Sequence, residues 1–138
     1  LCLYGHELSD EIDPVQAGLV WSISKPRRPD GARPGGFPGA EVIFERMAQG
    51  TALRRVGLKV EGKRPVREGQ AVLDQGGRQV GEICSACYGS SVGSPIAMAY
   101  IERESGEPGT GLLVEVRGKQ LAVTVTRMPF TPQRYYRG

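Results

Sequence analysis

Cysteine, histidine and tyrosine are among the residues of this 138-residue chain whose types could do chemistry, and few stand where chemistry needs them. Cys84-Ser85-Ala86-Cys87 spells C-x-x-C, a spacing used for zinc and for thiol redox work. A structural zinc site wants about four ligands, and the other candidates, Cys2 and the single histidine His6, lie at the far amino end. The pair also falls where a strand gives way to a turn, not at the helix N-terminus that lowers a thiol pKa. Structural or incidental cysteines are therefore the preferred reading. General-base catalysis would rest on His6 or on a perturbed carboxylate. The neighbours of His6, namely Glu7, Asp10 and Glu11, read as a solvated loop. "RPGGFPGAEV" lacks the Lys-Ser/Thr ending of a phosphate loop and follows no strand, so it is set aside. No catalytic residue and no metal ligand is assigned.

Composition narrows the class. Eighteen Lys and Arg against fifteen Asp and Glu give a net charge of +3, with the basic residues scattered in pairs such as Arg27-Arg28 and Arg54-Arg55. With no aromatic-interleaved basic stripe, they read as solvated surface and not as a nucleic-acid footprint. No apolar run approaches the roughly 20 residues of a membrane-spanning helix. Residues 1–8 are too short and too acidic downstream for a signal-peptide core, and no basic segment precedes them. Three cysteines cannot all pair internally, which favours a reducing compartment, the cytoplasm or the mitochondrial matrix.

Three regions must position whatever site exists. In residues 1–24, Asp13 can cap a short helical turn opened by Pro14, after which Leu19, Trp21 and Ile23 alternate like a half-buried strand. Residues 25–38 form a Pro- and Gly-rich loop, a connector or mobile surface segment. A helix over 39–49 follows, with Val42, Ile43 and Met47 as its apolar stripe and Gly50 as its stop. From Thr51 the period changes to two. "LRRVGLKVEG", "QAVLD", "RQVGEICSA", "SPIAMAYI", "GLLVEVRG" and "QLAVTVTR" predict six short antiparallel strands joined by glycine turns, a small barrel or sandwich. Two prolines hold the tail "MPFTPQRYYRG" extended, and its aromatics give it apolar weight.

Read in order, "LCLYGHEL", "DPVQAGLVWSI", "FPGAEVI", "RRVGLKVEG", "PVREG", "SPIAMAYI", "GTGLLVEVRGK" and "MPFTPQRYYRG" resemble the carboxyl-terminal part of the aminomethyltransferase (T-protein) family of the glycine cleavage system. The resemblance implies a mainly β fold with minor α: a six-stranded antiparallel barrel over 51–138, preceded over 1–50 by a connector helix and the end of an α+β folate-binding domain. It implies transfer of a methylene carbon from the aminomethyl-lipoyl arm of the H-protein to tetrahydrofolate, with release of ammonia. The expected partners are the lipoylated H-protein and the amino-terminal part of the same enzyme; neither nucleic acid nor membrane is implied. No metal is needed, and tetrahydrofolate serves as co-substrate.

Residue by residue, Tyr135 matches a family position that contacts folate. Tyr4 in "LYG" is placed along the same channel, and Arg137 is placed to pair with the glutamate tail of the folate. The essential aspartate, the pterin-holding glutamate and a folate-contacting arginine of the family all belong upstream of Leu1. The chain alone is thus expected to be a fragment without methylene transfer, with Leu1, Leu3 and Tyr4 ending a strand whose partners precede it. Where relatives carry a Thr-Ser-Gly turn and then Ser-Pro, Cys84-Ser85-Ala86 and Gly89-Ser90 stand here, a departure expected to alter local turn geometry. Two rivals remain open: the folate-binding carboxyl-terminal half of a sarcosine or dimethylglycine dehydrogenase, and a non-enzymatic folate-binding module.

Overall fold

Alternation of apolar and polar side chains needs a two-faced sheet, and a chain with six such runs separated by glycine turns can remove its open edges by closing. The computed structural model, which describes residues 4–132, 134 and 136, shows that closure. Strands β1 (Leu53–Val60), β2 (Ala71–Leu73), β3 (Gln79–Gly89), β4 (Ser94–Glu102), β5 (Gly111–Val116) and β6 (Lys119–Thr126) form a barrel in the order β1-β4-β3-β2-β5-β6. Every pairing is antiparallel, and β6 closes on β1 through Gly57 opposite Thr126 to Val60 opposite Val123. All six expected strands are present.

The inward positions carry the stability. On β4, Pro95, Ala97, Ala99 and Ile101 are buried while the residues between them are partly exposed. Leu58, Ile83, Ile101 and Val114 are fully enclosed. At the β5–β6 hairpin, Arg117 (φ 51°) and Gly118 (φ 72°) both take positive φ, the two-residue turn whose twist matches antiparallel strands.

A helix α1 (Ala40–Gln49) precedes the barrel and ends at Gly50, whose amide donates to the Arg46 carbonyl at 2.8 Å and whose φ is 86°. Its apolar stripe differs from the expected one. Val42 is half exposed, and Phe44 turns instead against Phe37, their rings edge to face with centroids 6.1 Å apart. The loop over 25–38 holds no ladder, as expected, but is tied to itself. The Gly35 amide donates to the Arg27 carbonyl at 3.0 Å and the Arg33 amide to that of Pro26 at 2.9 Å. Gly31 packs so closely that a Cβ there would stand 2.4 Å from the Lys25 and Pro26 carbonyl oxygens.

Two expectations about local shape are corrected. Leu19, Trp21 and Ile23 form no strand: a 3-10 turn spans Val20–Ser22, with no sheet edge to pair with, and Trp21 is 73% exposed. Nor does the tail simply run on extended, since over 128–130 it bends back onto β1. Gly57 makes the room, because a Cβ there would meet Met128 Cγ at 2.9 Å and the Phe130 ring at 3.0 Å.

The helical turn after Asp13 forms as the sequence indicates. Asp13 Oδ1 accepts the amides of Val15 (2.7 Å) and Gln16 (3.1 Å), and Gln16 Oε1 accepts the Asp13 amide in return (3.2 Å). Arg46 of α1 closes an ion pair on the other carboxylate oxygen. Burial alone would raise the Asp13 pKa, but the Gln16 amide, the Arg46 guanidinium and the Val15 amide together hold it below the usual aspartate value. A depressed folded-state pKa stabilises the fold above the unfolded value of about 3.9, and that contribution is lost as pH falls through the lower folded-state value. Asp13→Asn is therefore expected to be less stable than the parent at neutral pH. Urea titrations at descending pH should show that gap closing below about pH 4.

Candidate functional site

Strand register decides which side chains meet on the outside of the barrel. Across β1, β4 and β3, Arg55 stands opposite Tyr100 and Tyr100 opposite Glu82; Gly57, Met98 and Ser85 form the next row, and Lys59, Ile96 and Cys87 the third. Two segments lie on this wall. The amino-terminal one is fixed to the first row, where the Tyr100 hydroxyl donates to the Glu7 carbonyl at 2.7 Å. Arg55 Nε donates to the Ala17 carbonyl at 3.0 Å, and the Arg55 amide to that of Gln16 at 2.9 Å. The returning tail, through Met128 and Phe130, covers the second row at Gly57.

Between these two segments runs an open groove of about 1140 Å³. Ile96, Met98 and Cys87 are on the strand side; Leu8, Leu19 and Trp21 line it from the amino-terminal segment, and Met128, Pro129 and Phe130 from the tail. Such a surface, apolar and aromatic with a guanidinium at one end, can hold a flat aromatic group or a packed segment of chain. It supplies no paired acid and base. Among the described residues no three His, Cys, Asp or Glu side chains gather as a metal site.

Of the residues singled out for folate, Tyr4 is 80% exposed on a turn where the Gly5 amide donates to the Leu8 carbonyl at 2.7 Å. Tyr135 and Arg137 lie outside the described residues, as do Leu1, Cys2 and Leu3. His6 is solvent-facing as read, its Nδ1 2.9 Å from Glu68 Oε2. Glu7 is not: it is 1% exposed, beneath a segment whose composition looks wholly solvated. What sequence reading could have caught is Arg55, a charge at an outward strand position beside apolar neighbours, which calls for a covering segment.

The C-x-x-C pair sits within β3, not at a strand-to-turn junction, and a bulge between Ile83 and Ser85 separates the fates of its members. Cys84 is buried and Cys87 exposed. Burial pushes the Cys84 thiol up to about 12; the nearby Glu7 carboxylate adds to this and Arg55 opposes it. Since the thiolate is the reactive form, Cys84 is inert near neutral pH. Brief iodoacetamide treatment of the native protein should modify Cys87 and spare Cys84, as peptide mass mapping would show. Comparable labelling of both would contradict this burial. The departure at Cys84-Ser85-Ala86 thus falls in a bulged strand, and its thiol takes up a buried position.

The model of the glycine cleavage T-protein C-terminal barrel domain family matches residues 54–131. Among curated proteins, the mitochondrial aminomethyltransferase of Flaveria trinervia is 42% identical over 137 residues, which is 99% of this chain and 32% of that protein. The mitochondrial aminomethyltransferase of Gallus gallus is 43% identical over 136 residues, 99% of this chain and 33% of that protein. The crystal structure of glycine cleavage system aminomethyltransferase T from Bartonella henselae superposes with a TM-score of 0.88 at 34% identity, over 99% of this chain and 37% of that one. The chain spans about a third of the length of the curated relatives it matches. No helix among the described residues is long and apolar enough to cross a membrane.

Proposed function

This chain belongs to the glycine cleavage T-protein family, as its carboxyl-terminal barrel, and from that premise we propose that it serves a tetrahydrofolate-dependent aminomethyltransferase. The reaction moves the methylene carbon of an aminomethyl-lipoyl H-protein to tetrahydrofolate, forms 5,10-methylenetetrahydrofolate and releases ammonia. The observation that carries this reading is the continuous match: nearly the whole chain aligns with proteins named aminomethyltransferase at about 40% identity. In this reading residues 51–138 are the barrel with its tail, and residues 1–50 are the connector and the end of the folate-binding portion. Its partners are the H-protein and the amino-terminal portion of the same enzyme. Relatives named mitochondrial support a mitochondrial setting for a eukaryotic source.

Within that enzyme the residues of this chain bind and orient; the proton and carbon chemistry belongs to groups upstream. Tyr4, Tyr135 and Arg137 are assigned to folate. An exposed phenol on a short turn suits stacking against, or hydrogen bonding to, a pterin or p-aminobenzoyl ring, and a guanidinium suits a glutamate carboxylate.

The test is a coupled assay on the gene product that carries these residues, supplied with aminomethyl-lipoyl H-protein and tetrahydrofolate. Formation of methylenetetrahydrofolate with equimolar ammonia is expected. Turnover of sarcosine or dimethylglycine without H-protein would move the assignment to a demethylating dehydrogenase; tetrahydrofolate binding with neither reaction would leave a binding module. Losing one hydrogen bond to a ligand costs about 1 kcal/mol. Tyr135→Phe should accordingly raise the KM for tetrahydrofolate about fivefold, with kcat within about twofold.

A further inference from the structure

We propose that Tyr100 and Arg55 are positioning residues, a two-point clamp on the outer barrel wall that holds the segment from Glu7 to Ala17 and thereby sets where the turn over residues 4–8 and its Tyr4 phenol stand. The value of this for ligand binding rests on the reading of Tyr4 as a folate contact.

The turn cannot place its own tyrosine. Within it the Gly5 amide donates to the Leu8 carbonyl, with an isolated bridge between Tyr4 and Leu8. Tyr4, 80% exposed, has little packing of its own. A side chain so placed inherits its position from its backbone, and that backbone is held at Glu7, whose carbonyl takes the Tyr100 hydroxyl at 2.7 Å.

The same spot holds the segment a second time. Arg55, directly opposite Tyr100, binds the Ala17 carbonyl through Nε and the Gln16 carbonyl through its backbone amide. Its Nη1 rests 3.4 Å from Met98 Sδ, which steadies the guanidinium. Both anchors project from paired strands of a closed barrel, so neither can slide. The stretch from Glu7 to Ala17 is thus pinned at both of its ends, and the 4–8 turn is held where it enters that stretch, at Glu7.

Tyr100→Phe removes the donor and keeps the ring, and Arg55→Lys keeps the charge and removes the Nε donor. In the gene product carrying these residues, amide hydrogen exchange is expected to quicken about fivefold at Gly5 in Tyr100→Phe, as the loss of one hydrogen bond implies. Exchange at Leu58 and Ala99 in the barrel should stay within about twofold. The KM for tetrahydrofolate should rise about fivefold in both variants while kcat stays within about twofold, a split that general destabilisation does not produce. Gly5 exchange within about twofold of wild type in Tyr100→Phe overturns the clamp. Faster Gly5 exchange with unchanged KM leaves the clamp standing and overturns the folate role of Tyr4 instead.

Discussion

Leu58→Ala should destabilise this protein by about 4 kcal/mol, toward the upper part of the range for burying-to-cavity substitutions. Leu58 is fully enclosed and faces Ala97 on β4 and Val125 on β6 across the ladder. What decides the size of the loss is what could refill the space. The inward residues of β4 beside it are Ala97 and Ala99, already too small to extend into a void. Since a closed ladder cannot draw its strands together, the cavity persists and the full cavity term applies. With total stabilities of about 5–15 kcal/mol for such domains, the loss is a large fraction of the whole. A urea titration should find the midpoint lowered by about 2 M with an unchanged slope. A shift under about 0.5 M would mean that the barrel relaxes around the site, contrary to this packing.

The barrel was readable because its constraint is local and repeated. A strand such as Ser94–Glu102 buries every second residue, so the period of its sequence is the period of its structure. The same rule misled at Leu19, Trp21 and Ile23. Alternation there matched a strand, but a strand also needs an edge to pair with, and all six barrel strands already pair on both sides. Glu7 was opaque for a related reason: it is buried against a wall whose Tyr100, far along the chain, holds its carbonyl, and "HELSDEID" carries no trace of that strand. The two halves of the C-x-x-C were indistinguishable in sequence because a bulge, which no local signal announced, sets them apart. Tyr4, singled out through its motif, is exposed on a short turn. The groove on the outer barrel wall was not legible in the sequence, since it is bounded by two segments from opposite ends of the chain.

Gly81→Ala tests how far the wall that carries the clamp depends on one missing methyl group. Gly81 lies between Val72 on β2 and Ile101 on β4, and a Cβ there would come 2.2 Å from the Tyr100 carbonyl oxygen and 2.9 Å from the Ile101 Cα. Both are backbone atoms inside the ladder, so no side-chain rotation relieves the contact and strand β4 itself must move. The cost should reach about 3 kcal/mol, the high end for overpacking. Gly57→Ala is the control on β1: its Cβ would meet Met128 Cγ at 2.9 Å and the Phe130 ring at 3.0 Å, longer contacts and with side-chain atoms of a returning tail, not with ladder backbone. That substitution should cost less than about 1 kcal/mol. Because the displaced carbonyl belongs to Tyr100, Gly81→Ala should also speed amide exchange at Gly5, although Gly81 bonds to nothing in the 4–8 turn. Equal stabilities of the two variants would show that the β3–β4 ladder yields as readily as a tail. A Gly5 amide untouched by Gly81→Ala would separate the position of Tyr100 from that of Tyr4, which the clamp geometry does not allow.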